Sequence, residues 1–149
     1  MPTLWNPDDL AVAQRRLGTL TDAHQARWGR MSCAQMLRHL TWGVQMATGA
    51  RPVPRLRTRL PLRFAPLRYL ILNVLPFPRG APTAPSLRVG EVGTVAEERA
   101  GLEAALAAFV AMDRRAPWSP HPAFGSMDGP AWGAFTWKHV DHHLRQFGA

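Results

Sequence analysis

Apolar residues return at helical intervals in four separate stretches of the chain, and nowhere in the strict alternation of a half-buried strand. Leu10, Ala13, Leu17 and Leu20 form the first stripe. Asn6-Pro7-Asp8-Asp9 precedes it: a capping residue, a proline at the first helical position and two carboxylates at the positive helix end. This predicts a helix from Pro7 that ends near Gly18 to Thr21. The second stripe is Met36, His39, Trp42, Gly43 and Met46. Ser32 opens it, with Gln35 placed to reach back as in a capping box, and Gly49 closes it. Thr94-Val95-Ala96-Glu97 repeats the capping-box signature ahead of Leu102, Leu106, Phe109, Val110 and Met112. That helix is expected to run to near Arg114 and Arg115, cations that suit its negative end. Asp128 and Pro130 open the last helix, which carries Trp132, Phe135, His139, His143 and Phe147.

Between the second and third stripes, residues 51–93 hold eight of the fourteen prolines. Leu67, Leu70, Ile71, Val74 and Leu75 still repeat at helical spacing after Pro66, which predicts a short helix flanked by extended proline-rich arms. Four long amphipathic helices with one excursion predict an all-α fold. The expected architecture is an antiparallel four-helix bundle forming a single domain over 1–149, with 51–93 as an insertion between bundle helices 2 and 3. No internal repeat breaks this reading.

At 149 residues, 46% hydrophobic and 19% charged, the composition excludes an acidic disordered tail, a collagen-like repeat and a membrane bundle. The most apolar window, Tyr69 to Phe77, falls far short of the ~20 residues a spanning helix needs, so no membrane span is expected. One cysteine, Cys33, allows no internal disulfide. Met1 to Asn6 carries no basic region followed by an apolar run, and the expected location is cytoplasmic. The net charge of +8 is uneven: residues 23–90 hold eleven arginines and no Asp or Glu, against seven basic and ten acidic residues elsewhere. The middle segment, at +11 against −3, therefore suits an anionic partner. Seventeen arginines to one lysine also fits a coding bias. No nucleic-acid recognition motif accompanies the charge, so nucleic acid is not the expected partner.

Three of the six histidines fall in Lys138-His139-Val140-Asp141-His142-His143. On a helix, His139 and His143 lie about 40° apart and one turn up, so both imidazoles can address one ion, whereas His142 faces elsewhere. Open metal sites usually take a third protein ligand, and His39, in the middle of the second helix's apolar face, is the best placed. Taken singly, a histidine on an apolar face reads as a hydrogen-bonded core residue. A pair is harder to place without a metal, because both imidazoles must stay neutral and both must find partners. Cys33 lies about 120° around the helix from His39 and reads as a packed thiol.

Trp28-Gly29-Arg30-Met31-Ser32, Gln35-Met36-Leu37-Arg38-His39, Pro82-Thr83-Ala84-Pro85-Ser86, His121-Pro122-Ala123-Phe124-Gly125 and the ending His139-Val140-Asp141-His142-His143-Leu144-Arg145-Gln146-Phe147-Gly148 carry a resemblance across nearly the whole chain. Together they resemble an uncharacterised bacterial family within the DinB-like superfamily. The resemblance implies a DinB-like four-helix bundle holding a divalent metal, zinc or nickel, through one histidine of the second helix and a His-x-x-x-His pair on the last. Here these are His39, His139 and His143. Some relatives are metal-dependent S-transferases or isomerases that use a low-molecular-weight thiol, and relatives are often dimers. The Pro-Thr-Ala-Pro and His-Pro-x-Phe-Gly segments belong to this branch rather than to those enzymes.

The first reading of the chemistry is therefore a transferase that activates a small-molecule thiol, since a cation held by neutral imidazoles acidifies a bound thiol or water. Arg38 and Arg145 are candidate contacts for an anionic substrate or thiol. Their plainer roles are a solvated helix face for Arg38 and an i,i+4 partner for Asp141 in the case of Arg145. His121, in a loop, is a candidate general base or fourth ligand, or else a cap for the last helix. Trp42 and Trp132 are either substrate-stacking platforms or walls of the bundle. A metal-hydroxide hydrolase is the first alternative, although Asp141 points away from the histidine pair. A non-catalytic metal-binding or dimerising bundle is the second, with Leu70, Ile71 and Val74 as contacts of a homodimer. Membrane-surface association through the same stretch ranks last, because prolines interrupt a continuous interfacial helix.

Overall fold

A computed structural model describes residues 1–56, 61–80 and 84–149, and among them the fold is all-α, with five helices and no named strand. These are α1 (Pro7–Gly18), α2 (Cys33–Thr48), α3 (Ala65–Tyr69), α4 (Val95–Ala111) and α5 (Gly129–Gln146). α3 continues as a π turn, Leu70–Val74, and a 3-10 turn spans Pro85–Leu87. The local signals decide where the long helices begin. Asn6 accepts from the Asp8 amide, Ser32 with Gln35 and Thr94 with Glu97 form complete capping boxes, and Asp128 accepts from the Ala131 amide. Gly49 ends α2 with φ at 83°, a left-handed conformation that costs glycine least.

α4 stops at Ala111, short of the expected end near Arg114 and Arg115. Met112 turns extended, and the Asp113 carboxylate accepts from the Arg115 amide at 2.8 Å, a local turn that competes with another helical turn. Arg114 instead lies over the Trp5 ring, 4.9 Å from its centroid, and donates to the Trp5 carbonyl.

α2 packs most extensively on α4 and also against α5, while α1 packs on α5 and α4. Leu17, Met36, Leu37, Leu40, Leu102, Leu106, Phe109, Trp132, Val140 and Leu144 fill the space between them. At one end Trp5 stacks on Phe109 with centroids 5.0 Å apart, and Trp118 closes the cluster. Here Gly133 is required, because any Cβ would run into the Trp5 indole.

Among the described residues of the proline-rich excursion, the stretch around Ile71 and Leu72 folds back onto α5. Leu72 is buried, and the Lys138 ammonium of α5 donates to the carbonyls of Ile71 at 2.6 Å and Leu72 at 3.2 Å. Of the three residues expected to form a contact face, Ile71 packs on the core, whereas Leu70 and Val74 point outward. Pro82 and Thr83 of the branch motif, with part of the expected arms, lie outside the described residues. No helix among the described residues is long and apolar enough to cross a membrane.

Candidate metal centre

His39 sits mid-way along α2, and its buried ring meets those of His139 and His143, one turn apart on α5. The Nε2 atom of His139 is 3.2 Å from His39 Nε2 and 3.1 Å from His143 Nε2. One nitrogen from each ring lies within 4.8 Å of the other two, close enough for all three to hold one metal ion.

The outer nitrogens decide what the inner ones can do. His39 Nδ1 faces the Leu87 carbonyl at 3.3 Å, and because a carbonyl only accepts, that nitrogen carries the proton. His143 Nδ1 lies 2.7 Å from Gln146 Oε1, and the Gln146 amide nitrogen donates to the Trp28 carbonyl at 2.6 Å. Trp28's carbonyl forces the amide nitrogen toward itself and the amide oxygen toward His143, so His143 Nδ1 is protonated as well. Both Nε2 atoms therefore bring lone pairs toward His139 Nε2. A neutral His139 can donate at most one proton from that nitrogen, so hydrogen bonding cannot satisfy both neighbours. A cation at the common point accepts all three lone pairs, and the donor set fits one.

Burial keeps the rings in the ligand form. Desolvation lowers the pKa of His39, and it takes His139 well below the usual histidine value, with the neighbouring His143 and His39 adding to the effect. Desolvation, with His39 second, pushes His143 down to about 3. Phe135 packs 5.8 Å from the His139 ring, and Phe77, from the excursion, 6.1 Å from it. His142 faces away and meets Trp28 edge-on.

The remaining candidates are engaged elsewhere. His121 stands outside the three-histidine group, pairs with Gly125 across its loop, and accepts from the Ala123 and Phe124 amides through Nδ1. Burial among Phe124, Trp132 and Phe135 pushes its pKa down to about 3. The expected alternative of capping the last helix is corrected: Asp128 is that cap, and His121 closes its own loop because its ring nitrogen meets the nearest free amides. Arg38 is not a solvated helix face; it grips Glu98 of α4 with two bonds, at 2.5 and 2.6 Å. Arg145, largely exposed, pairs with Asp141 at 3.0 Å, and Asp141 also takes Arg16 at 2.7 Å. Trp42 is half-buried beneath the Arg51 guanidinium, 3.9 Å from its centroid. Trp132 is fully buried and donates to the Ser119 carbonyl. Cys33 is buried, and desolvation pushes its thiol up to about 11.

Two outer contacts escaped the sequence reading. Gln146 stands one helical turn beyond His143, and that spacing could have pointed to it. The Leu87 carbonyl left no such signal, because it reaches His39 from 48 residues away.

A family model described as "Protein of unknown function (DUF1569)" matches residues 5–149. No curated protein and no solved structure matches the chain.

Proposed function

The chain belongs to the DUF1569 family, and we propose that it is a divalent-metal-binding protein whose ligands are His39, His139 and His143, and that it catalyses S-transfer from a small-molecule thiol. One observation carries the first part: two of the three imidazoles have their outer nitrogens tied to groups that only accept, so that two lone pairs meet at a third ring able to satisfy one. We read α1, α2, α4 and α5 as a DinB-like antiparallel four-helix bundle with 51–93 inserted. The closed ring of packing from α1 to α5, α2, α4 and back to α1 supports this.

Bound there, zinc or nickel would act as a Lewis acid on a thiol or water in an open coordination position. The chain's own contribution is to supply three neutral donors with no negative charge, two of them, His39 and His143, fixed in direction by Leu87 and Gln146. Phe77 and Phe135 give the site an apolar wall. Transfer is favoured over hydrolysis because no carboxylate or further imidazole joins the three ligands among the described residues. His121, the loop candidate for proton transfer, has its Nδ1 committed to its own loop. A thiol made acidic needs no separate base, whereas attack by water and departure of a leaving group usually need one.

Elemental analysis of tag-free protein beside His39→Ala and His143→Ala tests the ligand assignment. The expected result is stoichiometric metal in the parent and its loss in both variants, and comparable content in all three would end the assignment. Zinc- or nickel-loaded protein is then expected to consume thiols in the presence of a panel of electrophiles. Metal-dependent ester hydrolysis without thiol consumption would replace transfer with hydrolysis. Stoichiometric metal with neither turnover would leave a non-catalytic binding protein.

A further inference from the structure

Among the described residues seven large apolar side chains are exposed, and five of them lie on one short stretch. They are Phe64, Tyr69, Leu70, Val74 and Leu75, at 62, 65, 39, 60 and 44% exposure. The stretch is firmly held: Leu72 is buried beneath it, and the Lys138 ammonium grips two of its carbonyls. An apolar face of this kind, kept toward solvent by a fixed backbone, marks an interaction surface.

We propose that this face docks α3 and its π turn onto an anionic lipid surface. Charge is the first argument. The face lies within residues 23–90, which carry eleven arginines and no acidic residue, and Arg55, Arg79 and Arg88 are exposed there. Val74 and Leu75 also line a cleft of about 300 Å³ against α5 whose other walls include Lys138, Arg145 and Asp141. Asp141 is already matched by Arg16 and Arg145, so it does not reverse the sign of that rim. A phosphate headgroup beside a row of apolar side chains answers both features at once.

The alternatives fit less well. A second copy would bring the same arginine-rich segment against itself, and like charges across an interface oppose association. Nucleic acid fits less well because only Phe64 and Tyr69 could stack on bases, while the aliphatic Leu70, Val74 and Leu75 make up the rest of the face. The prolines do prevent one long interfacial helix, since Pro52, Pro54 and Pro61 lie outside any helix, but a short helical stretch remains. Pro66 stands in the first turn of α3, where proline is tolerated, and Pro76 follows the end of the π turn, leaving Ala65–Val74 continuously helical.

Co-sedimentation of the full chain with vesicles tests this. Phosphatidylcholine vesicles containing phosphatidylglycerol are expected to bind the protein and to release it as salt is raised, while pure phosphatidylcholine vesicles leave it in the supernatant. The exposed double substitution Leu70→Ser with Val74→Ser is expected to lower partitioning about tenfold or more at unchanged circular dichroism. Val74→Trp is expected to raise it, which keeps the test open should the serine variant misfold. No binding to the anionic vesicles at low salt, or equal binding by parent and both variants, would overturn the proposal. A dimer in sedimentation velocity that the serine variant dissolves would give the face to a second copy instead.

Discussion

Gln146 holds His143 by its outer ring nitrogen, accepting from Nδ1 at 2.7 Å while its own amide nitrogen donates to the Trp28 carbonyl at 2.6 Å. The bond chooses the tautomer that turns the lone pair of Nε2 inward, and the Trp28 contact chooses the amide orientation that makes the bond. Gln146→Leu removes both contacts and leaves the three rings in place. Metal affinity is expected to fall about 10–100-fold, read by competition with a chromogenic chelator. Unchanged affinity would show that His143 needs no outer partner.

Metal should also stabilise the fold, because the ligands come from α2 and α5 and meet only when the two pack. At a free metal concentration a hundred times Kd, the expected gain is about 2.7 kcal/mol. Thermal melting of chelator-treated protein with added zinc or nickel reads it directly. His39→Ala should lose the gain, and a Tm insensitive to metal in the parent would contradict the site.

Without metal, acid should destabilise the protein well above the carboxylate range. His121, pushed by burial from 6.5 to about 3, stays neutral in the fold but takes up a proton when unfolded below pH 6.5. Its stabilising share is complete above pH 6.5 and is lost between there and about pH 3, at about 1.4 kcal/mol per pH unit. The same sign holds for His39, His139 and His143, each lowered chiefly by burial. In His121→Asn the side-chain oxygen can still accept from the loop amides, and the acid limb measured by denaturant titration should be shallower by one histidine.

Arg38 and Glu98 bind α2 to α4, and the carboxylate also accepts from the Gly93 amide at 3.0 Å. The Arg38 hydrogen bond holds the Glu98 pKa below its ordinary value, so the pair stabilises at neutral pH and weakens as acid protonates the carboxylate. Glu98→Ala takes the acceptor from the exposed Gly93 amide and from a half-exposed guanidinium. The expected cost is about 1–3 kcal/mol in urea unfolding, with metal content unchanged.

Gly133→Ala places a methyl group against the Trp5 indole, which stacks on Phe109 and donates to the Gly129 carbonyl at 2.7 Å. Displacing that ring should cost about 1–3 kcal/mol and alter tryptophan fluorescence. Unaltered stability and emission would show that the N-terminal segment moves aside freely.

Each long helix could be read from its own residues. Asn6, Ser32 with Gln35, Thr94 with Glu97, and Asp128 satisfy amides two or three positions away, so the caps are contained in the local sequence. The His139 and His143 pair is equally local, since helical geometry brings i and i+4 onto one face whatever surrounds them. The apolar period likewise placed His39 on a buried face. Packing alone decided that this face of α2 meets α5 at those two rings, that Leu87 and Trp28 supply the outer carbonyls, and that Arg38 finds Glu98 60 residues away. It also decided which apolar residues of the excursion turn inward. Capping and helical spacing act within about one turn, whereas these partners are brought together by burial of the whole core, which no short stretch of sequence encodes by itself.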